Sequence, residues 1–286
     1  MTGNFESGSI TVRPYTESDL NQLERLDMFI VLQIKYHGGV KGENVFCAIE
    51  NNNVTGAGIL TLFREGRAEF SVYADDPAVK EALTECLIGR FLELHKENNA
   101  KIVLRTCRSS DKLTEIQFFL SKGFRTDNMI LLLKYDLSGP IAHYSIPGEV
   151  EIKPYEFTDE SMPKYLKAAE DAGLLPLKDS ADSWFRTGAP GFACFAALHN
   201  GEVIGSATIL DVPEECGVTE FIFVLPSFRR NNIARELIAT ALSELQNRGK
   251  KEARLTVFGA NWPAVNLYLS MGYRLTDSLV ELKLQT

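Results

Sequence analysis

Two periods of apolar residues alternate along the later half of the chain. "FACFAALHN" (192–200) and "EVIGSATILD" (202–211) are short and strand-like, and they meet at Asn200-Gly201, a two-residue hairpin signal. "GVTEFIFVL" (217–225) is rich in β-branched and aromatic residues and predicts the next strand. The period then changes. Ile233, Leu237, Ile238, Ala241, Leu242 and Leu245 recur at helical spacing, and Gly249 ends that helix. "EARLTVF" (252–258) predicts another strand. "NWPAVNLYLSMG" (261–272) predicts a short helix with Pro263 in its first turn, and "YRLTDSLVELKL" (273–284) a closing strand. A strand is also expected near Glu151, with helical segments between about 158 and 187.

The chain repeats itself. "FLSKGFRTD" (119–127) matches "YLSMGYRLTD" (268–277), and "FCAIENNNVTGAGIL" (46–60) matches "FAALHNGEVIGSATIL" (195–210), with Phe119 against Tyr268 and Phe46 against Phe195 both at an offset of 149 residues. "VRPYTESDL" (12–20) echoes "IKPYEFTDES" (152–161) at an offset of 140, so the later copy has gained 9 residues between these matches. Three matches in one order imply two copies of one domain. "SGPIAHYSIPG" (138–148) punctuates the boundary with Gly139, Pro140, Pro147 and Gly148, which gives expected domains of 1–140 and 141–286.

Composition narrows the classes. At 286 residues, 45% hydrophobic and 24% charged, the chain has apolar material for full cores. A net charge of −8 without a basic block argues against nucleic acid as the main partner. No apolar run reaches membrane-spanning length, so no membrane association is expected. "MTGNFESGSI" lacks a basic and then apolar leader pattern, so no signal peptide is expected. Five cysteines without paired spacing favour reduced thiols and a cytoplasmic location. The four histidines are scattered, and no metal is expected.

The segment between the strand at 217–225 and the next helix, "PSFRRNNIA" (226–234), places cations and asparagines at a helix start. Unpaired amides and a partial positive charge at that end attract anions. A loop that brings its backbone to a phosphate needs residues tolerating positive φ, and Asn follows Gly in that tolerance. A solvated turn with a basic edge is the plain alternative. Arg229-x-x-Asn232-x-Ala234 resembles the R/Q-x-x-G-x-G/A signature of the GNAT superfamily of acyl-CoA-dependent N-acyltransferases, and Val224-x-Pro226 resembles the approach to it. Asn261, Ala264, Tyr268, Gly272 and Tyr273 are similar to its second pattern, N-x-x-A-x-x-x-Y-x-x-x-G-F/Y. The resemblance spans roughly residues 149–286, and the repeat extends it more faintly to 10–137. Asn232 departs from it by standing where the family has Gly.

The resemblance implies an α/β fold of two tandem GNAT-like domains, each a mixed, mostly antiparallel sheet flanked by helices. It implies transfer of an acetyl or other acyl group from acetyl-CoA, as co-substrate, to a primary amine of a small-molecule or peptide acceptor. A non-catalytic acyl-CoA-binding or regulatory protein of the same fold is the alternative. The backbone of Arg229, Arg230, Asn231, Asn232, Ile233 and Ala234 would cradle the phosphates, with the arginine side chains on outer oxygens. Amides at Val224 and Leu225 would polarise the thioester carbonyl. Glu220, on the same strand face as Val224 by alternation, would take a proton from the ammonium. Tyr268 would protonate the thiolate, and Asn261 would contact coenzyme A. Each has a structural alternative: a buried strand end for Val224 and Leu225, a salt-bridged strand residue for Glu220, a core ring for Tyr268 and an N-cap for Asn261.

The first copy reads differently at these places. "VYADDPAVKEALTE" (72–85) offers Asp76 as N-cap and Pro77 at the first helical position, so a carboxylate takes the amides that a phosphate would use. Phe119 stands where the later copy has Tyr268, and Lys112 where it has Asn261. Glu69 in "AEFSV" is the apparent counterpart of Glu220. Within "DSADSWFRTGAPG" (179–191), Trp184, Phe185, Arg186, Asp179 and Asp182 are acceptor-side candidates, or helix anchors to the core.

Overall fold

A computed structural model of the chain describes residues 5–7, 10–36, 39–63, 66–98, 102–174, 191–211 and 215–285. Two compact units form, Met1–Asp127 with Val280–Thr286, and Asn128–Leu279.

In the first unit, strands β1 (Phe5–Ser7), β2 (Ile10–Pro14), β3 (Val40–Glu50), β4 (Asn53–Leu62), β5 (Arg67–Ala74) and β6 (Val103–Ser109) lie side by side in that order. The end of the last strand, β13 (Arg274–Gln285), follows β6. Pairing is antiparallel from β1 to β5 and parallel between β5 and β6. Helices α3 (Pro77–Asn98) and α4 (Leu113–Ser121) bury Leu83, Leu87, Phe91 and Phe119 against one core. Helices α1 (Leu20–Leu26) and α2 (Met28–Tyr36) bury Leu23 and Ile30 with Val45 and Ile59 in another. At the chain entry to α1, Asp19 takes two hydrogen bonds from Arg13, at 2.7 and 2.8 Å. The guanidinium, with the Thr16 amide, holds this carboxyl down at about 2.

In the second unit the order is β13, β7 (Arg125–Asp136), β12 (Glu252–Phe258), β11 (Cys216–Val224), β10 (Glu202–Asp211), β9 (Ala193–His199) and β8 (Val150–Pro154). Helices α6 (Ile233–Asn247) and α7 (Trp262–Ser270) cover one face, and α5 (Ser161–Asp171) the other. All six apolar positions that predict α6 are buried. Asn200 and Gly201 adopt φ 52° and 82°, the left-handed pair that a tight hairpin between β9 and β10 requires.

The strand that ends the first repeat, β7, is paired along residues 130–136 with β12 of the second unit. The last residues of the second repeat complete the first unit. Leu282 is fully buried with Leu104 and Phe119, Glu281 pairs with Arg105 at 2.9 Å, and Lys283 pairs with Asp127. Leu282→Ala is therefore expected to cost about 2–5 kcal/mol in the first unit. Hydrogen exchange is expected to accelerate in β6 and α4. Acceleration confined to residues 233–279 would contradict this division of the core.

Candidate active site

The site begins with a parting of strands. The parallel pairing of β11 with β12 covers Cys216–Val218 against Glu252–Arg254. Beyond it β12 continues with β7, while β11 continues with β10 to Val224. The amide of Leu225 donates to Ile204 O at 2.8 Å. Gly205 and Val224 are thus a wide pair, and Val224 turns its own amide and carbonyl toward the gap. The Val224 carbonyl accepts Nε of Arg229 at 3.0 Å. The Val224 amide is the group of this strand end that faces the gap. The Leu225 amide, expected to act with it, is committed to the sheet.

A bulge lies just before this end. Ser206 pairs with Phe223 and Thr208 with Glu220, so Phe221 and Ile222 together oppose Ala207. Phe221 has φ 45°, in the left-handed region that a bulky residue rarely enters. The bulge changes which way side chains point. Ala207 and Ile209 join the core under α6, so Ser206 and Thr208, with Glu220 opposite, face α5. Val224 joins the α6 core. Alternation alone predicts Glu220 and Val224 on one face, whereas the extra residue puts them on opposite faces. Glu220 is half-buried there, and burial raises its carboxyl above the ordinary 4.5.

After Val224, a 3-10 turn at Pro226–Phe228 leads into α6. Arg230 and Asn232 both adopt positive φ, 68° and 57°. Asn232 is the N-cap residue, but its side chain does not bond the first-turn amides. The helix start is thus shaped without being capped. Arg229 is occupied otherwise: besides Val224 O, its guanidinium donates to Ala172 O at 2.8 Å, tying the loop to the end of α5. It braces the loop where an outer-phosphate contact was expected. Arg230 is exposed. Asn231 Nδ2 donates to Phe228 O at 3.4 Å. Ile233 is buried in the core with Leu237, and Ala234 packs at its edge.

Tyr268 lies 7% exposed in that same core, with Val224, Val265 and Tyr273. Burial pushes its phenol up to about 12. Its ring centroid is 5.7 Å from that of Tyr273, whose hydroxyl lies 3.2 Å from Thr219 Oγ1. Asn261 is the N-cap of α7 and accepts from the Ala264 amide at 3.4 Å. Trp184, Phe185, Arg186, Asp179 and Asp182 lie outside the described residues. All five cysteines are free. Among the described residues, no cluster of His, Cys, Asp or Glu is placed to hold a metal ion, and no helix is long and apolar enough to cross a membrane.

Residues 155–273 match the model of the acetyltransferase (GNAT) family. Solved structures share the fold over nearly the whole chain. A GCN5-related N-acetyltransferase from Sphaerobacter thermophilus is 15% identical with a TM-score of 0.77, covering 98% of this chain and 97% of its own. A tandem GNAT protein from the clavulanic acid biosynthesis pathway, solved without AcCoA, is 13% identical with a TM-score of 0.72, covering 96% and 98%. A glucosamine N-acetyltransferase region of a fungal multi-domain β-N-acetylglucosaminidase is 16% identical with a TM-score of 0.71, covering 98% and 38%. Curated proteins gave no significant match. Family and fold support acyl transfer as the general class of chemistry.

The first unit repeats the parting of strands but not its fittings. The β5–β6 pairing covers Arg67–Glu69 against Val103–Arg105. A cavity of about 810 Å³ opens between β5, β6, α3 and α4. Its guanidinium groups are paired, Arg105 with Asp127 and Glu281, and Arg108 with Glu115. Asp76 caps α3, accepting from the amides of Ala78 at 2.7 Å and Val79 at 3.3 Å. The register of β5 runs unbroken from Ala68 to Ala74. At the 149-residue offset, Thr208 corresponds to Ile59, whose partner is Ser71. Ser71, not Glu69, is therefore the counterpart of Glu220. In register, "EFIFV" (220–224) stands against "SVYA" (71–74), so the extra residue shows in the strand pairing and not in the shared Glu-Phe pair.

The left-handed cap of α6 can be tested by substitution. Asn232→Gly is expected to fold at least as stably as the parent, since Gly enters φ 57° without a Cβ penalty. Asn232→Val is expected to lose about 1–2 kcal/mol in urea unfolding. Equal stability of the two variants would contradict the cap geometry.

Proposed function

We propose that the second unit transfers an acyl group, acetyl being the expected one, from acyl-CoA to a primary amine by direct attack in a ternary complex. One observation carries the reading. The gap between β11 and β12 leads to an uncapped helix start on a left-handed loop, and Glu220 and Tyr268 sit on opposite faces of the sheet beside it. The diphosphate would lie on the amides from Arg230 to Ala234, with the exposed Arg230 side chain near its outer oxygens. The acyl arm would enter the gap, where the Val224 amide donates to the thioester oxygen as charge develops.

The amine approaches on the α5 face. Glu220 removes a proton from the ammonium, directly or through one water, and the freed lone pair attacks the carbonyl carbon. The tetrahedral adduct gives up its second nitrogen proton to solvent, which returns one to the departing sulfur, and it collapses with loss of the coenzyme A thiolate toward the α7 face. Tyr268 meets the thiolate there. A phenol at about 12 stays protonated through neutral pH. Full transfer to a thiolate whose acid has a pKa of about 8.5 is uphill, so the phenol chiefly donates a hydrogen bond. The acceptor is a small molecule or peptide amine, one acyl-CoA binds per chain, and the cytoplasm is the expected compartment. Arg229, occupied by two carbonyls, favours the alternative of acyl-CoA binding without transfer. Thiol release from acetyl-CoA with a panel of amines separates the two readings. Amine-dependent release is expected. Coenzyme A binding without release for any amine would favour the alternative.

Glu220→Gln is expected to lower kcat by about 10²–10⁴-fold. In the parent, kcat at saturating amine should fall as the medium is acidified through the Glu220 pKa, which lies above 4.5, and that limb should vanish in the variant. Retention of the limb would assign it to another group. Tyr268→Phe is expected to reduce kcat by about tenfold to a hundredfold with acyl-CoA affinity nearly unchanged, the pattern of an interaction made in the transition state. The parent rate in that variant would make Tyr268 a core residue.

A further inference from the structure

A bulge leaves carbonyls without ladder partners, and buried carbonyls need donors. Two hydroxyls of β10 supply them. Thr208 Oγ1 donates to the Glu220 carbonyl at 2.9 Å, and Ser206 Oγ donates to the Phe221 carbonyl across a longer 3.5 Å. Both side chains are fully buried. Tyr165 of α5, also fully buried, places its hydroxyl 2.9 Å from Ser206 Oγ. With the Ser206 proton directed at Phe221, Tyr165 is the donor in that contact. The order is then Tyr165 to Ser206 to the bulge carbonyl.

The first unit supplies the control within the same chain. At the 149-residue offset, Ser206 corresponds to Ala57 and Thr208 to Ile59. There Val72 alone opposes Gly58, and the ladder is regular. Apolar residues at these two places go with a straight strand, and hydroxyls go with a bulged one. The consequence reaches the site. A regular strand would return Glu220 and Val224 to one face, because a single-residue slip reverses every side chain beyond it.

We propose that Thr208, Ser206 and Tyr165 are positioning residues that hold the β11 bulge, so that Glu220 faces the amine side while the Val224 amide stays at the gap. The catalytic part of this inference rests on the reading of Glu220 and Val224 given above. The hold on the bulge does not.

The test is a double variant, Ser206→Ala with Thr208→Val, beside the milder Tyr165→Phe and the conservative Thr208→Ser. Cross-strand nuclear Overhauser contacts report the pairing of residues 206–208 with 220–223 without reference to activity. The double variant is expected to lose the two-against-one pairing. Its kcat should fall by about tenfold to a hundredfold, with the KM for acyl-CoA within about threefold of the parent. Thr208→Ser should keep both pairing and rate, and Tyr165→Phe should fall between. Unchanged pairing in a folded double variant would overturn the proposal, whatever its rate. If the double variant does not fold, pairing and kcat in Tyr165→Phe decide, and parent values of both would overturn it. Lost pairing with an unchanged kcat would overturn the positioning role by removing its premise, Glu220 as base. Should no amine be a substrate of the parent, the pairing contacts alone decide whether the hydroxyls hold the bulge.

Discussion

A strand that leaves its neighbour inside a folded sheet must find other partners for its backbone, and the second unit is organised around meeting that demand. Past Val218, β11 has no pairing with β12, and each buried polar group left unmatched costs about 1–3 kcal/mol. Arg229 takes the Val224 carbonyl, Ile204 takes the Leu225 amide, and two hydroxyls take the carbonyls of the bulge. Among the described residues, the groups facing the gap without such a match are donors: the Val224 amide and the first amides of α6. The same gap that would be a defect in a closed sheet is an anion-directed slot in this one. Loop, helix start and bulge are parts of one solution to that demand.

The first unit meets the same demand differently. Its β5 and β6 part after three paired positions, yet the following helix is capped by its own carboxylate, and the guanidinium groups of the cavity are neutralised by glutamates. Arg108 lies over the Phe119 ring with its cation 4.5 Å from the centroid. Both guanidinium groups of the cavity are thus spent on the protein itself. The loop between β5 and α3 is Asp75-Asp76, against residues 225–232 in the second unit. The two units thus differ in what they leave unsatisfied.

Much of this was legible in residues. Helix α6, the Asn200-Gly201 hairpin, the Asp76 cap and the left-handed need at Asn232 all follow from local rules, because they depend on neighbours in sequence. The bulge was not read, because alternation assumes an unbroken ladder. Alternation put Glu220 on the face of Val224, and the shared Glu-Phe pair matched it to Glu69. The commitments of Arg229 and the Leu225 amide depend on partners far along the chain, Ala172 and Ile204, and no local pattern encodes them. The same holds for Leu282, which ends the second repeat yet fills the core of the first unit.

The central claim is that the second unit is the acyl-CoA site and the first is not. A crystal structure of the chain grown with acetyl-CoA tests it most directly. The account predicts one ligand per chain, its diphosphate on the amides of residues 230–234 and its pantetheine arm between β11 and β12. A ligand seated in the cavity between β5 and β6, with the gap beside Val224 empty, would contradict it.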